Sequence, residues 1–152
     1  MIEIVSAVIV SAWRGPPSPP LSELSDVHVP WSPVGRVLLV QREPLEYSAF
    51  AWECPSAQVT QRDAEGRETA ARQAVCDALG VVVESLNHEP LAVIEEDKGL
   101  HYLYEVRALE PQSKFGGCGR GFGWFAWDEM VRMSLTRRGR YLLAIKRRLD
   151  AA

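Results

Sequence analysis

Residues 67–79 hold the pattern that most narrows what this chain can fold into. Ala70, Ala71, Ala74, Val75, Ala78 and Leu79 recur at helical spacing and form one continuous apolar stripe. Gly80 follows where such a helix would stop. Around this helix the chain reads as strands. Residues 2–13 are dominated by β-branched side chains and end at Arg14-Gly15-Pro16-Pro17. Residues 35–42 are a short apolar run with polar flanks, and a further strand over 51–54 is stopped by Pro55. Strands are expected again at 81–83, 91–95, 101–109 and 122–127. Glu95-Glu96-Asp97-Lys98-Gly99 has the polarity and the glycine of a hairpin turn. Asp128-Glu129-Met130 opens a short helix. Ser134 or Thr136 is placed to cap a final one, whose apolar side is Tyr141, Leu142, Ile145 and Leu149. The order predicts an α/β domain, a mixed sheet sandwiched between helices.

Length and composition agree with one domain over 1–152. The chain is 47% apolar, enough for a core, and residues 14–33 hold six prolines and read as an extended loop insertion. Three widely spaced cysteines, Cys54, Cys76 and Cys118, make neither a zinc ribbon nor a disulfide framework. The first residues carry an acid and no basic leader, and their apolar run is too short to span a bilayer, so a cytoplasmic protein without a membrane partner is expected. The net charge of −3 makes nucleic acid an unlikely partner. The basic cluster Arg132, Arg137, Arg138, Arg140, Lys146, Arg147 and Arg148 reads either as the solvated face of a helix or as a phosphate footprint.

Trp52-Glu53-Cys54-Pro55-Ser56-Ala57, then Asp63, then Ala70-Ala71 leading to Leu79-Gly80-Val81, resembles the box motif of the Nudix superfamily. The family pattern is G-x5-E-x7-R-E-U-x-E-E-x-G-U, usually opened by W-E-x-P-G-G. Residues 37–42 resemble the strand before the box, and Trp124-Phe125-Ala126-Trp127-Asp128-Glu129-Met130 resembles its late W-F-x-x-D-E-L segment. The resemblance thus covers most of the chain in the right order. It implies the Nudix fold.

It does not carry over the family's chemistry intact. Counted back from Gly80, R-E-U-x-E-E falls on Gln73-Ala74-Val75-Cys76-Asp77-Ala78, so the box is degenerate. In the family, glutamates of this helix hold divalent cations that neutralise a diphosphate and activate water. Here those positions read Ala74, Asp77 and Ala78, and only Asp77 remains as a metal candidate. Asp63 stands six residues after Ala57, at the first glutamate of the box, but ten before Gln73. Glu65 has the right distance to Gln73 and the wrong one to Ala57, so either the loop carries a two-residue insertion, with Glu65-Gly66-Arg67 as loop, or one of these anchors is misplaced; the insertion is favoured. The alanines remove charge but keep volume. Either a ligand cavity stays open beside them, or small side chains let the helix pack close to a strand.

Other acids can compensate. Glu95, Glu96 and Asp97 lie in a turn that, in some family members, delivers an extra metal ligand or general base, and with Asp77 they can form a partial catalytic site. A solvated hairpin tip is the plainer reading. Glu53 and Asp63, with Trp31, Tyr47 and His101, are candidate ligand-binding residues. His101 is either a base near neutrality or a hydrogen-bonded strand histidine. The glycine-rich stretch 116–123 precedes a strand, not a helix N-terminus, so a loop over the pocket is expected in place of a phosphate loop. Two functions follow. One is a divergent Nudix-fold protein that binds a nucleotide, diphosphate or other metabolite, with magnesium-dependent pyrophosphohydrolysis weak or lost and non-hydrolytic catalysis open to the reused pocket. The other is a working hydrolase of nucleoside diphosphates linked to a second group, using recruited acids and Mg or Mn.

Overall fold

The computed structural model describes residues 1–11, 36–41, 51–109 and 121–150. The proline-rich insertion 14–33, with Trp31, lies outside them, as do Tyr47 and Cys118. The described elements run β1 (Ile2–Ser11), β2 (Arg36–Gln41), β3 (Trp52–Glu53), β4 (Ser56–Gln58), α1 (Ala64–Leu79), β5 (Val83–Leu86), β6 (Ala92–Glu96), β7 (Gly99–Leu109), β8 (Phe122–Phe125), α2 (Trp127–Arg132) and α3 (Tyr141–Asp150).

β1 is the spine. It pairs parallel with β7 from Ile2↔Gly99 to Ile9↔Val106, and antiparallel with β2 and β4. Side chains alternate across a strand, so β1 feeds two cores. Val5, Ala7 and Ile9 meet Ala70, Ala71, Val75, Ala78 and Leu79 of α1 on one face. Val8 and Val10 meet Trp127, Met130, Leu142 and Ile145 of α2 and α3 on the other. The result is the expected mixed sheet with helices on both faces. Arg67 ties α1 to the sheet by donating to Glu3 at 2.9 Å, while its guanidinium lies 4.4 Å from the centre of the Tyr102 ring.

Three local details differ from expectation. Beyond Pro55, where β3 has stopped as expected, a further short strand β4 pairs with β1, and the Pro55 carbonyl accepts the Ala7 amide at 2.8 Å. The strand after the helix starts at Val83, with Val81 buried in the core just before it. The helix begins at Ala64, not Arg67, so Glu65-Gly66-Arg67 is its first turn and not loop. Asp63 is the N-cap and accepts from the Gly66 amide at 2.7 Å.

The glycine at 66 serves contact, not flexibility. A Cβ there would sit 1.7 Å from the Gln61 carbonyl oxygen, whereas Gly80 adopts the left-handed conformation (φ 71°) that ends the helix. Gly66→Ala is therefore expected to destabilise the protein by about 2 kcal/mol or more, through displaced backbone. Gly80→Ala should cost only about 1 kcal/mol, from the left-handed conformation. Urea unfolding of the two variants checks this; equal midpoints would contradict it.

Candidate functional site

On the α3 face, three segments converge at the end of the sheet where β1 starts. Glu53 arrives at the tip of β3. The β6–β7 hairpin brings Glu96, Asp97 and Lys98, and the turn before α3 brings Thr136, Arg137 and Arg138. Together they line a cleft of about 400 Å³. The hairpin is clamped onto β1 by the Ile2 amide donating to the Lys98 carbonyl at 2.9 Å. A Cβ on Gly99 would lie 1.6 Å from the Ile2 carbonyl oxygen, so only glycine permits this approach. The turn before α3 docks on β3, with the Trp52 amide donating to Ser134 and the Thr136 amide to Trp52. Thr136 caps that turn, its hydroxyl accepting from the Gly139 amide at 2.9 Å, and not α3 itself, which starts at Tyr141.

Alternation along β6 separates the two acids of the hairpin. Ile94 and Glu96 point to the α3 face, and Glu95 is exposed on the other. Glu96 accepts from the Tyr141 hydroxyl and from Arg138 Nε at 3.4 Å. Burial would raise its carboxyl, but these two donors and the Arg138 charge carry it below the ordinary carboxylate range.

Behind Glu96, His101 is completely buried on β7. Its Nε2 lies 2.7 Å from Ser6 Oγ, and Nδ1 lies 3.8 Å from Glu96 Oε2 without a hydrogen-bond partner. The ring meets Tyr141 edge-on at 5.0 Å. Burial, reinforced by Arg138 and opposed by Glu96, drops the imidazole to about 4. His101 is thus neutral at neutral pH and stands one layer behind the cleft; the geometry is that of a hydrogen-bonded strand histidine, not of a general base. Burial, with Glu53 beside it, likewise pushes the Cys54 thiol up to about 12, which removes it as a thiolate nucleophile.

The other sequence candidates lie elsewhere. Asp77 is exposed on α1, accepts from Gln73 Nε2 at 2.7 Å, and does not line the cleft. Asp63 is spent as the helix cap. Ala74 and Ala78 are buried, 1% and 3% exposed, and line neither described cavity. Their small side chains pack in the core on the α1 side of the sheet. A second cavity of about 210 Å³ lies nearer the N-terminal part of α1; its lining, which includes Gln58, Gln61 and Gln73, carries no charge. Lys98, Arg137, Arg138 and Tyr141 were not among the sequence candidates. The basic cluster pointed at two of them, but nothing local showed that they would face Glu96.

No protein-family model matches the chain, and no curated protein matches it by sequence. Solved structures do. MutT studied from Aliivibrio salmonicida and Vibrio cholerae superposes with a TM-score of 0.62 at 16% identity, covering 99% of this chain and 97% of that one. A MutT Nudix hydrolase from Burkholderia pseudomallei gives 0.61 at 22% identity, covering 94% and 95%. The chain has the Nudix fold. The Nudix domain of Shewanella oneidensis NrtR, solved with ADP-ribose, gives 0.59 at 16%, covering 97% and 86%.

The Nudix fold raises the question of a resident divalent cation, and the donors do not fit one. Among the described residues no three histidine, cysteine, aspartate or glutamate side chains gather where a metal could sit. Two of the three helix positions are core alanines, Asp77 is alone, and Glu96 is already held by Arg138 and Tyr141. Magnesium binds poorly to such a set.

Two outcomes follow. Ala78→Glu should cost on the order of 3 kcal/mol by burying an unpaired charge. Magnesium should not recover it; a stable variant whose melting temperature rises with magnesium would refute the core assignment. The second concerns pH. His101 has its ordinary value near 6.5 when unfolded and about 4 when folded, so the unfolded chain binds more protons between these values. Its contribution to stability is complete above about 6.5 and is lost as pH falls toward 4, up to about 3 kcal/mol in all. Denaturant melts of wild type and His101→Gln across pH 4–7 measure this. Parallel curves would show that the imidazole titrates normally.

Proposed function

We propose that this Nudix-fold chain binds a small anionic metabolite of the phosphate-ester class, such as a nucleotide or a diphosphate, in the cleft beside β3 and the start of α3. Ordinary magnesium-dependent pyrophosphohydrolysis is weak or lost. The observation that carries this reading is the lining of the cleft. Lys98, Arg137 and Arg138 converge there with Thr136, whereas the α1 face, which in Nudix hydrolases holds the cations, offers alanines. Arginine pairs present planar donor forks that suit phosphate oxygens, and Glu53 and Asp97 on the same walls can accept N–H or O–H groups from the rest of the ligand.

A hydrolase built from recruited acids has one observation in its favour: Glu53, Glu96 and Asp97 reach the same cleft. Asp77, the metal candidate of that reading, is exposed on α1 and does not line the cleft. The chemistry favours binding, because Glu96 is neutralised by its neighbours and the cleft has as many basic as acidic side chains.

Calorimetric titration with ADP-ribose, the ligand seen in the NrtR domain, tests the reading directly. Arg137→Ala with Arg138→Ala is expected to weaken binding by about ten- to a hundredfold, one or two charge-assisted contacts being lost. Asp77→Asn should leave it unchanged. Turnover of ADP-ribose with magnesium at ordinary enzymatic rates, abolished by Glu53→Gln, would establish the hydrolase instead.

A further inference from the structure

The hydrogen bonds behind the cleft have a single direction. Ser56 Oγ donates to the Cys54 carbonyl at 2.9 Å, which uses its only hydrogen. Toward Ser6 Oγ, 2.7 Å away, Ser56 is therefore the acceptor and Ser6 the donor. Ser6 in turn has no hydrogen left for His101, so His101 Nε2 donates to it across 2.7 Å. The neutral ring is thus fixed as the Nε2–H tautomer, and its bare Nδ1 lone pair faces the Glu96 carboxylate at 3.8 Å. Two acceptors confront each other in a buried place with no donor between them. That arrangement is stable only while other groups hold Glu96.

Those groups are Tyr141, fixed on α3, and Arg138, whose 3.4 Å contact is long and whose side chain is 44% exposed. Arg138 is the weaker restraint, and it also lines the cleft. An anion entering the cleft competes for it, because a phosphate offers the guanidinium shorter and paired bonds.

We propose that His101 is a positioning residue for the cleft, which takes a proton from solvent onto Nδ1 when an anionic ligand draws Arg138 off Glu96. The new Nδ1–H then donates to Glu96 Oε2 and replaces Arg138 as its cationic partner, while Ser6 and Ser56 keep the ring in place. No bond of the ligand breaks; one N–H bond forms, with the proton supplied by buffer. This inference rests on the reading of the cleft as an anion site.

The groups around the ring set its response. Ser6 on β1 and Ser56 on β4 are neutral. Glu96 on β6 favours the imidazolium; Tyr141 on α3 is held neutral by burial and by Glu96. Arg138 opposes the imidazolium, and Arg137 lies beyond it on the cleft wall. Moving Arg138 away and adding a ligand anion both favour protonation. Affinity should accordingly rise as pH falls from neutrality.

The first test needs no ligand. Nitrogen NMR of the full chain should show His101 as the neutral Nε2–H tautomer at pH 6, and Arg138→Ala should raise its titration midpoint by about one pH unit. The opposite tautomer, or an unmoved midpoint, overturns the proposal whether or not anything binds. The second test is titration with ADP-ribose, whose phosphates do not titrate near neutrality, at pH 6 in MES and in Bis-Tris. Wild type should take up roughly half a proton per ligand, from the buffer dependence of the heat. His101→Gln, whose amide can still donate to Ser6, should bind without that uptake. Binding with equal proton counts in both proteins overturns the role of His101 and leaves the anion site standing. Absence of binding removes the anion site, and with it the ligand-driven step.

Discussion

Eight consecutive parallel pairings between β1 and β7 place almost everything else in the molecule. Because side chains alternate along both strands, the pair sends Val5, Ala7, Tyr102 and Tyr104 toward α1 and Val8 and Leu103 toward α2 and α3. A shift of one residue would exchange the two faces. The same register sets Ile4 opposite His101 and brings the Ser6 hydroxyl to the imidazole on the α3 face, so the cleft's polar backing comes from the pairing that makes the core. The polar residues there are tolerated because most of their hydrogen-bonding groups are met within one chain of contacts, from the Cys54 carbonyl to His101 Nε2.

Close backbone approach does the rest of the positioning. Gly99 lets the β6–β7 hairpin lie on the Ile2 carbonyl, and Gly139 lets the turn before α3 lie on β3, where a Cβ would come within 2.6 Å of the Trp52 carbonyl oxygen. Glu96 and Arg138, 42 residues apart, become neighbours through these two contacts. On the opposite face, the alanines of α1 serve the same purpose by a different means. Ala74 and Ala78 are buried there, so a carboxylate at either position would have to leave water to sit on this face.

Much of the fold was readable in the residues. The helix before Gly80 and the strands around it follow from periodicity and local chemistry, and the box-like order of motifs agrees with the fold seen in solved Nudix structures. The departures are local. Asp63, whose spacing from Ala57 suits the box, caps the helix, and Glu65-Gly66-Arg67, which looks like loop in the sequence, is the helix's first turn. Of the candidate site residues, Glu53 and Glu96 reach the cleft; His101 stands behind it; Asp77 and Glu95 face away.

The sequence by itself determined which segments are strands and helices, that residues 73–78 of the helix hold a single acid, Asp77, and that the net charge is slightly negative. These are properties of neighbours along the chain, where a period of two or near four and a single glycine decide the outcome. Only the tertiary structure decided which acid meets which base. The pairing of Glu96 with Arg138 and Tyr141, and the burial that keeps His101 neutral, depend on distances between segments that no local spacing encodes.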